Sequence, residues 1–175
     1  MAESLPGLAA RLEHVQFVVA VAPHLADALY APLVRAAAPL HRPLTLVHER
    51  TDPVLAAADV TITASGTATV QGAIHGCPMV VIYKLSPMTY RLGKPFVKVD
   101  TYAMANLIAG TRLVPELIQS ECTPARIVDE TVARAEDGTR RAAVISGLRE
   151  VRDRLALPGA SGRAAEVVLK IARGR

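Results

Sequence analysis

Four short runs rich in β-branched residues punctuate the first half of the chain: QFVVAVA (Gln16 to Ala22), LTLVH (Leu44 to His48), VTIT (Val60 to Thr63) and MVVIY (Met79 to Tyr83). QFVVAVA and PMVVIY are almost continuously apolar, as strands covered on both faces are. The segments between them carry helical signals. Leu25 to Ala38 places Leu25, Leu29, Leu33 and Val34 on one side, Pro53 to Ala58 is a short helix, and Thr67 to His75 is a helix closed by Gly76. Short strands alternating with helices imply βαβ units joined by right-handed crossovers, and hence an α/β fold with a Rossmann-like, doubly wound parallel sheet. Such a domain normally opens with a strand. Here the first element, Leu5 to His14, is a helix, so the chain is expected to start inside a larger fold; a stand-alone domain that merely begins with a helix is the competing reading.

The rest of the chain fits one domain. Its 175 residues are 51% hydrophobic, yet only four Tyr and two Phe are present, so the core must be built from Ala, Val, Leu and Ile. After Pro115 the character changes. Thr123 to Glu136, Thr139 to Leu157 and Ser161 to Ala172 are polar, Arg-rich helical stretches, with Asp137-Gly138 and Pro158-Gly159 between them. Thr123-Pro124 and Ser161 read as helix starts with a side-chain cap. Residues 1–175 are therefore expected to form a single partial domain with a helical tail over 123–175. No apolar run approaches the ~18 residues of a membrane span, and MAESLPGLAARLEH is not patterned as a signal peptide. Cys77 and Cys122 have no CxxC or His-rich spacing around them, so reduced thiols, no metal site and a cytosolic compartment are expected. His14, His24, His41, His48 and His75 show no pairing that suggests a catalytic base.

Charge is unevenly placed. The net charge is +4, and the window from Val60 to Val99 holds no Asp or Glu but contains Lys84, Arg91, Lys94 and Lys98, so it supplies the whole excess. Tyr83, Tyr90 and Phe96 lie within it. Such a field serves nucleic acid, an anionic small molecule or a lipid headgroup, and composition does not choose among them.

Within this window ASGTATVQG, Ala64 to Gly72, joins a strand to a helix. Gly66 permits close backbone approach, and Ser65 is placed to cap the helix. The first N–H groups of that helix then face the carboxyl end of the sheet, where open α/β folds bind ligands and where free donors and the helix dipole favour an anion. Gln71 lies one turn beyond Thr67, within reach of a sugar hydroxyl beside a bound diphosphate. Read alone, the stretch is also consistent with a plain capped turn.

A wider set of blocks narrows the reading. AADVTITASGTATVQGAIHGCPMVVIYK, SPMTYRLGKPFVKV, NLIAGTRLVPELIQ, TPARI and PGASGRAAEVV, in this order, resemble the C-terminal half of lipid-A-disaccharide synthases. The resemblance implies the C-terminal domain of a GT-B glycosyltransferase, which binds the donor nucleotide. It implies inverting transfer from UDP-2,3-diacylglucosamine to the 6-hydroxyl of 2,3-diacylglucosamine 1-phosphate, in lipid A and lipopolysaccharide biosynthesis. The partners implied are a UDP-sugar lipid donor, an anionic glycolipid acceptor and a membrane surface, with no nucleic acid. No cofactor is implied, and the location is cytoplasmic, peripheral on the inner face of the bacterial inner membrane.

Carried over by position, Ser65, Gly66 and Thr67 would line the nucleotide pocket with Gln71. Asn106 matches a family site residue near the donor, and Gln119 a polar position of structural character. Lys84, Arg91, Lys94 and Lys98 share their segment with Met88, Tyr90, Leu92 and Phe96. Basic and apolar groups together suit a membrane interface; core packing of the apolar ones is the competing reading.

Two departures stand out. The family motif has Glu where this chain has Gln71, exchanging two charged acceptors for one neutral acceptor and one donor group. The family's catalytic acid, and a first strand ending in a Gly-Ser-Arg turn, match nothing in the chain. That strand belongs near the middle of the sheet, so Val18, Val19 and Val81 are expected at an exposed edge. The isolated chain is expected to be inactive and to lean on homo-oligomerisation. The alternative function is a non-catalytic nucleotide- or anion-binding module of the same ancestry.

Overall fold

The computed structural model describes residues 1–42, 44–93, 101–156 and 159–173. Among the described residues, five strands form two parallel sheets. β1 (Phe17–Val21) pairs with β2 (Leu44–His48), while β3 (Thr61–Ala64), β4 (Met79–Tyr83) and β5 (Glu116–Ile118) lie side by side in that order. Register runs Phe17↔Leu44 through Val21↔His48 in the first sheet, and Thr61↔Met79 and Val81↔Glu116 in the second. Every pairing is parallel, as the alternation of strands and helices requires.

The helices sort into two layers. On one side α1 (Leu5–Arg11) lies between α2 (Ala31–Ala37) and α7 (Pro124–Glu136). On the other, α3 (Thr51–Ala57) rests on β1 and β2, and α4 (Thr67–Ile74) rests on β3 and β4. α6 (Met104–Ala109) and α8 (Gly138–Leu155) pack on each other and on α4. α5 (Pro87–Gly93) follows β4, and α9 (Ala160–Ala172) follows α8.

Three aliphatic clusters hold these layers. The first joins Ala73, Met79 and Val81 to Ala103, Ala105, Val114, Val144, Leu148 and Val151. A second, around Leu5, Leu8, Val128 and Val132, takes in Phe17, Leu44 and Ile62, so both sheets contribute to one core. The third places Val80 and Leu117 on Ile127. Burying a Leu or Ile of this kind contributes about 1.5–3 kcal/mol.

The sheet divides where a strand is expected to be missing. β1 and β3 each pair on one side only among the described residues. Among the described residues the strands thus form two separate parallel sheets, β1-β2 and β3-β4-β5, joined through side chains. Val18 is accordingly 48% exposed. Val81 corrects the expectation: at 1% exposure it is core, because β4 is paired on both sides and the open edge falls on β3.

Other boundaries shift for local reasons. The expected helix Leu25 to Ala38 is broken into a 3-10 turn at Asp27–Tyr30, α2, and a 3-10 turn at Ala38–Leu40. Of its apolar stripe only Leu33 packs against the core; Leu25, Leu29 and Val34 are exposed. Thr123 caps α7 as expected, its hydroxyl accepting from the Arg126 N–H at 3.3 Å. Ser161 does not cap α9, which starts after Gly159 in a left-handed conformation at φ +82°. β5, α5 and α6 are absent from the sequence reading.

Candidate functional site

At the carboxyl end of β3 the chain turns through Ser65 and Gly66 into α4. Gly66 has φ +151° and ψ −160°, a region open in practice only to glycine. A Cβ built on it would meet no atom within 4 Å, so the conformation, not crowding, demands glycine there. The turn presents bare backbone to open space. The N–H groups of Thr67 and Ala68 lie at the helix end that supplies no intrahelical acceptor, the arrangement that favours an anion.

The turn is held by side chains. Ser65 does not cap α4: Gly66 occupies the N-cap and makes no side-chain bond, while the Ser65 hydroxyl donates to the Tyr102 carbonyl at 2.7 Å. Thr69, fully buried, donates its hydroxyl to the Gly66 carbonyl at 2.8 Å. α4 ends in a Schellman closure at Gly76, φ +65°, where the Cys77 N–H reaches the Gly72 carbonyl at 2.9 Å and the Gly76 N–H the Ala73 carbonyl at 3.0 Å.

Gln71 sits partly buried one turn beyond Thr67, on the helix that carries the turn. Asn106 is 1% exposed, and its amide is committed internally. Its Nδ2 donates to the Val114 carbonyl at 2.9 Å and to Glu116 Oε1 at 2.7 Å, and its Oδ1 accepts from the Val114 N–H at 2.9 Å. Gln119 likewise pins backbone. Its Oε1 accepts from the Leu85 N–H at 2.6 Å and its Nε2 donates to the Leu85 carbonyl at 3.3 Å, from a residue at φ +51°. Glu116, which the sequence reading passed over, accepts from the Tyr102 N–H at 2.8 Å, the Ala103 N–H at 2.9 Å and Asn106. The signal was available: a carboxylate inside the apolar run LVPELI has to find donors.

Ser65, Gly66, Thr67 and Gln71 thus share one turn and helix, with Asn106 joined through Tyr102 and Glu116. Lys84 and Arg91 are exposed on and beyond the end of β4, beside Met88 at 74% exposure, so Met88 is surface, not core. Lys94, Lys98 and Phe96 lie outside the described residues, and the side chain of Leu92 is not described. An open depression of about 330 Å³ lies at the other end of α6, lined by Thr101, Leu107, Gly110, Thr111 and Arg112 with Asn106 beneath.

The remaining polar groups act locally. Burial raises the Cys77 thiol above its ordinary range, partly opposed by its hydrogen bond with Thr61, so it is held protonated. Two histidines face carboxylates, with His75 Nε2 2.9 Å from Asp52 Oδ1 and His48 Nε2 3.6 Å from Asp27 Oδ1. Both are surface pairs on solvent-exposed aspartates. Asp59 receives Arg141 at its carbonyl and carboxylate. Among the described residues no three His, Cys, Asp or Glu side chains are grouped to hold a metal, and no helix is long and apolar enough to cross a membrane.

The sequence matches the family model for lipid-A-disaccharide synthetase over residues 3–167. It is 37% identical over 169 residues to the lipid-A-disaccharide synthase of Geobacter sulfurreducens, covering 97% of this chain and 43% of that one. To the enzyme of that name from Anaeromyxobacter dehalogenans strain 2CP-C it is 41% identical over 175 residues, covering 99% and 45%. With that from Myxococcus xanthus the identity is 42% over 126 residues, 72% of this chain and 33% of the relative. The chain spans less than half the length of these relatives. Matched over almost its whole length by the family model and by full-coverage relatives, this chain belongs to the lipid-A-disaccharide synthase family.

Proposed function

We propose that this chain is the donor-binding domain of a glycosyltransferase of lipid A biosynthesis. Its donor is UDP-2,3-diacylglucosamine and the acceptor is 2,3-diacylglucosamine 1-phosphate. The observation that carries the reading is Gly66, a glycine-only turn with unoccupied space beside it at the junction of β3 and α4.

The chemistry follows from that geometry. As the acceptor's 6-hydroxyl oxygen bonds to the anomeric carbon and yields its proton to a base on the acceptor side, the bond from that carbon to the β-phosphate oxygen breaks and its electron pair passes to the departing diphosphate. Fixed N–H donors at Thr67 and Ala68, aided by the α4 dipole, stabilise the charge that develops there. Asn106 and Gln119 act by fixing the backbone around the pocket, and Gln71 faces the nucleoside sugar. The acid assigned to the acceptor side by family resemblance matches nothing in this chain, so the isolated chain binds nucleotide without turnover. Lys84 and Arg91 face anionic lipid, Met88 enters the interface beside them, and Lys94 and Lys98, outside the described residues, add their charge to the same stretch of sequence.

Titrating UDP into the 175-residue chain by calorimetry tests this. Saturable binding is expected, lost in Gly66→Val and untouched by competing duplex DNA. Salt-dependent DNA binding with no UDP competition would overturn it. Gln71 favours a second reading, a binding module without chemistry. Gln71→Glu is expected to tighten UDP binding; unchanged affinity would remove glutamine from the argument.

A further inference from the structure

Glu116 stands outside the turn that faces the ligand, yet a hydrogen-bonded chain joins the two. Its carboxylate grips two consecutive peptide N–H groups, Tyr102 at 2.8 Å and Ala103 at 2.9 Å. Ala103 is the N-cap of α6 and Tyr102 the residue before it, so neither N–H has an acceptor within the helix. Asn106 Nδ2, one turn into α6, adds a third bond to the same carboxylate at 2.7 Å. The carbonyl of the residue so held, Tyr102, is the acceptor for Ser65 Oγ at 2.7 Å. Ser65 immediately precedes Gly66, and Gly66 is locked on its other side by Thr69.

Position therefore passes from β5 to the turn through one peptide. Glu116 is anchored in register opposite Val81 of β4, which is 1% exposed, so its own backbone has little freedom. Charge-assisted bonds of this kind are roughly twice as strong as neutral ones. A turn in a glycine-only conformation, with no side chain to pack, depends on such outside restraint to keep its N–H groups aimed.

We infer that Glu116 is a positioning residue for the donor site: without touching the ligand, it sets the Tyr102–Ala103 peptide, which holds Ser65 and with it the Gly66 turn and the Thr67 and Ala68 donors. The inference rests on reading that turn as the diphosphate site. Glu116→Gln is the direct perturbation. A carboxamide has one acceptor oxygen, so its NH₂ must face either the Tyr102 N–H or the Ala103 and Asn106 donors.

The test is a double-variant cycle on the 175-residue chain, combining Glu116→Gln with Ser65→Ala. UDP affinity is read by calorimetry and stability by urea unfolding. Glu116→Gln is expected to weaken UDP binding about tenfold. In the Ser65→Ala background the same change should cost less than threefold, because the relay is already cut. Equal effects of Glu116→Gln on affinity in both backgrounds, or wild-type affinity in the single variant, would overturn the inference.

Amide spectra separate this from the nucleotide reading. The Gly66 and Thr67 resonances should shift in Glu116→Gln and stay in place in Leu8→Ala, a core variant of the α1 layer. Wild-type protein that fails to bind UDP, with those shifts present, refutes the nucleotide and keeps the relay. Unshifted resonances refute the relay. Where Glu116→Gln does not fold, Glu116→Asp replaces it with the same outcomes, its carboxylate being one methylene too short to span all three donors.

Discussion

Replacing Asn106 by alanine removes three hydrogen bonds from a side chain that water scarcely reaches. Two of them satisfy the N–H and C=O of one residue, Val114, which is itself 1% exposed. Neither group finds a substitute in alanine. Leaving a buried polar group unpaired costs about 1–3 kcal/mol each. With each of the two groups taken at the low end of that range, about 1 kcal/mol, and about 1.5–3 kcal/mol for the charge-assisted bond to Glu116, the sum comes to about 3–5 kcal/mol. That is a large share of the ~5–15 kcal/mol by which a domain is stable.

Urea unfolding followed by circular dichroism should therefore show a much lower midpoint with unchanged slope. At ~2–4 °C per kcal/mol for a chain of this size, the melting temperature should fall by roughly 6–20 °C. Asn106→Asp sharpens the test, since it sets a second carboxylate where an amide donor stood 2.7 Å from Glu116. Two such groups resist ionising together, so the pair's proton is held more tightly folded than unfolded. Asn106→Asp should consequently gain stability relative to Asn106→Ala as pH falls below the carboxylate range, and lose it as pH rises. A loss below 1 kcal/mol in Asn106→Ala, or no pH dependence in the aspartate variant, would refute the reasoning.

Gly66→Ala should cost about 1–3 kcal/mol from backbone strain alone, more than Gly110→Ala, whose φ of +74° and ψ of 13° lie in a region that alanine enters at lower cost; paired thermal melts check the ranking. Cys77 stays protonated when folded, so stability should decline as pH climbs through ~8.5, where an unfolded thiol ionises, and Cys77→Ala should flatten that alkaline limb in urea titrations at pH 8 and 10. Lys84→Glu combined with Arg91→Glu should reduce sedimentation with phosphatidylglycerol vesicles at least fivefold, at ~1 kcal/mol per basic residue near the surface, and leave phosphatidylcholine vesicles unaffected.

Legibility in the sequence followed the range of the interactions involved. β2 and β4 begin and end where their residues say, because Gly76-Cys77-Pro78 and the β-branched runs are local punctuation. β5 is three residues, Glu116–Ile118, too short to show a period, and it becomes a strand only by lying against Val81 to Tyr83. Ser65 reads as a helix cap because that partner would lie three residues away; its actual acceptor, Tyr102, is 37 residues away. The same distance hid Glu116, whose donors are assembled by the fold. Gly66 was readable from sequence, since a strand, a turn and a helix in that order leave few conformations for it.

The divided sheet has a consequence for how the molecule opens. β1 and β2 have no strand neighbour beyond each other among the described residues, and a lone pair of strands is marginal without helices to cover it. Their hold on β3, β4 and β5 passes through side chains of α1, α2 and α7, not through a continuous ladder of backbone bonds. Unfolding should then occur in two steps. Backbone amides of Phe17–Val21 and Leu44–His48 would exchange with solvent deuterium well before those of Met79–Tyr83, whose strand is paired on both sides and whose Val80 is wholly buried. The Gly66 turn, at the end of β3, belongs to the slower-exchanging unit.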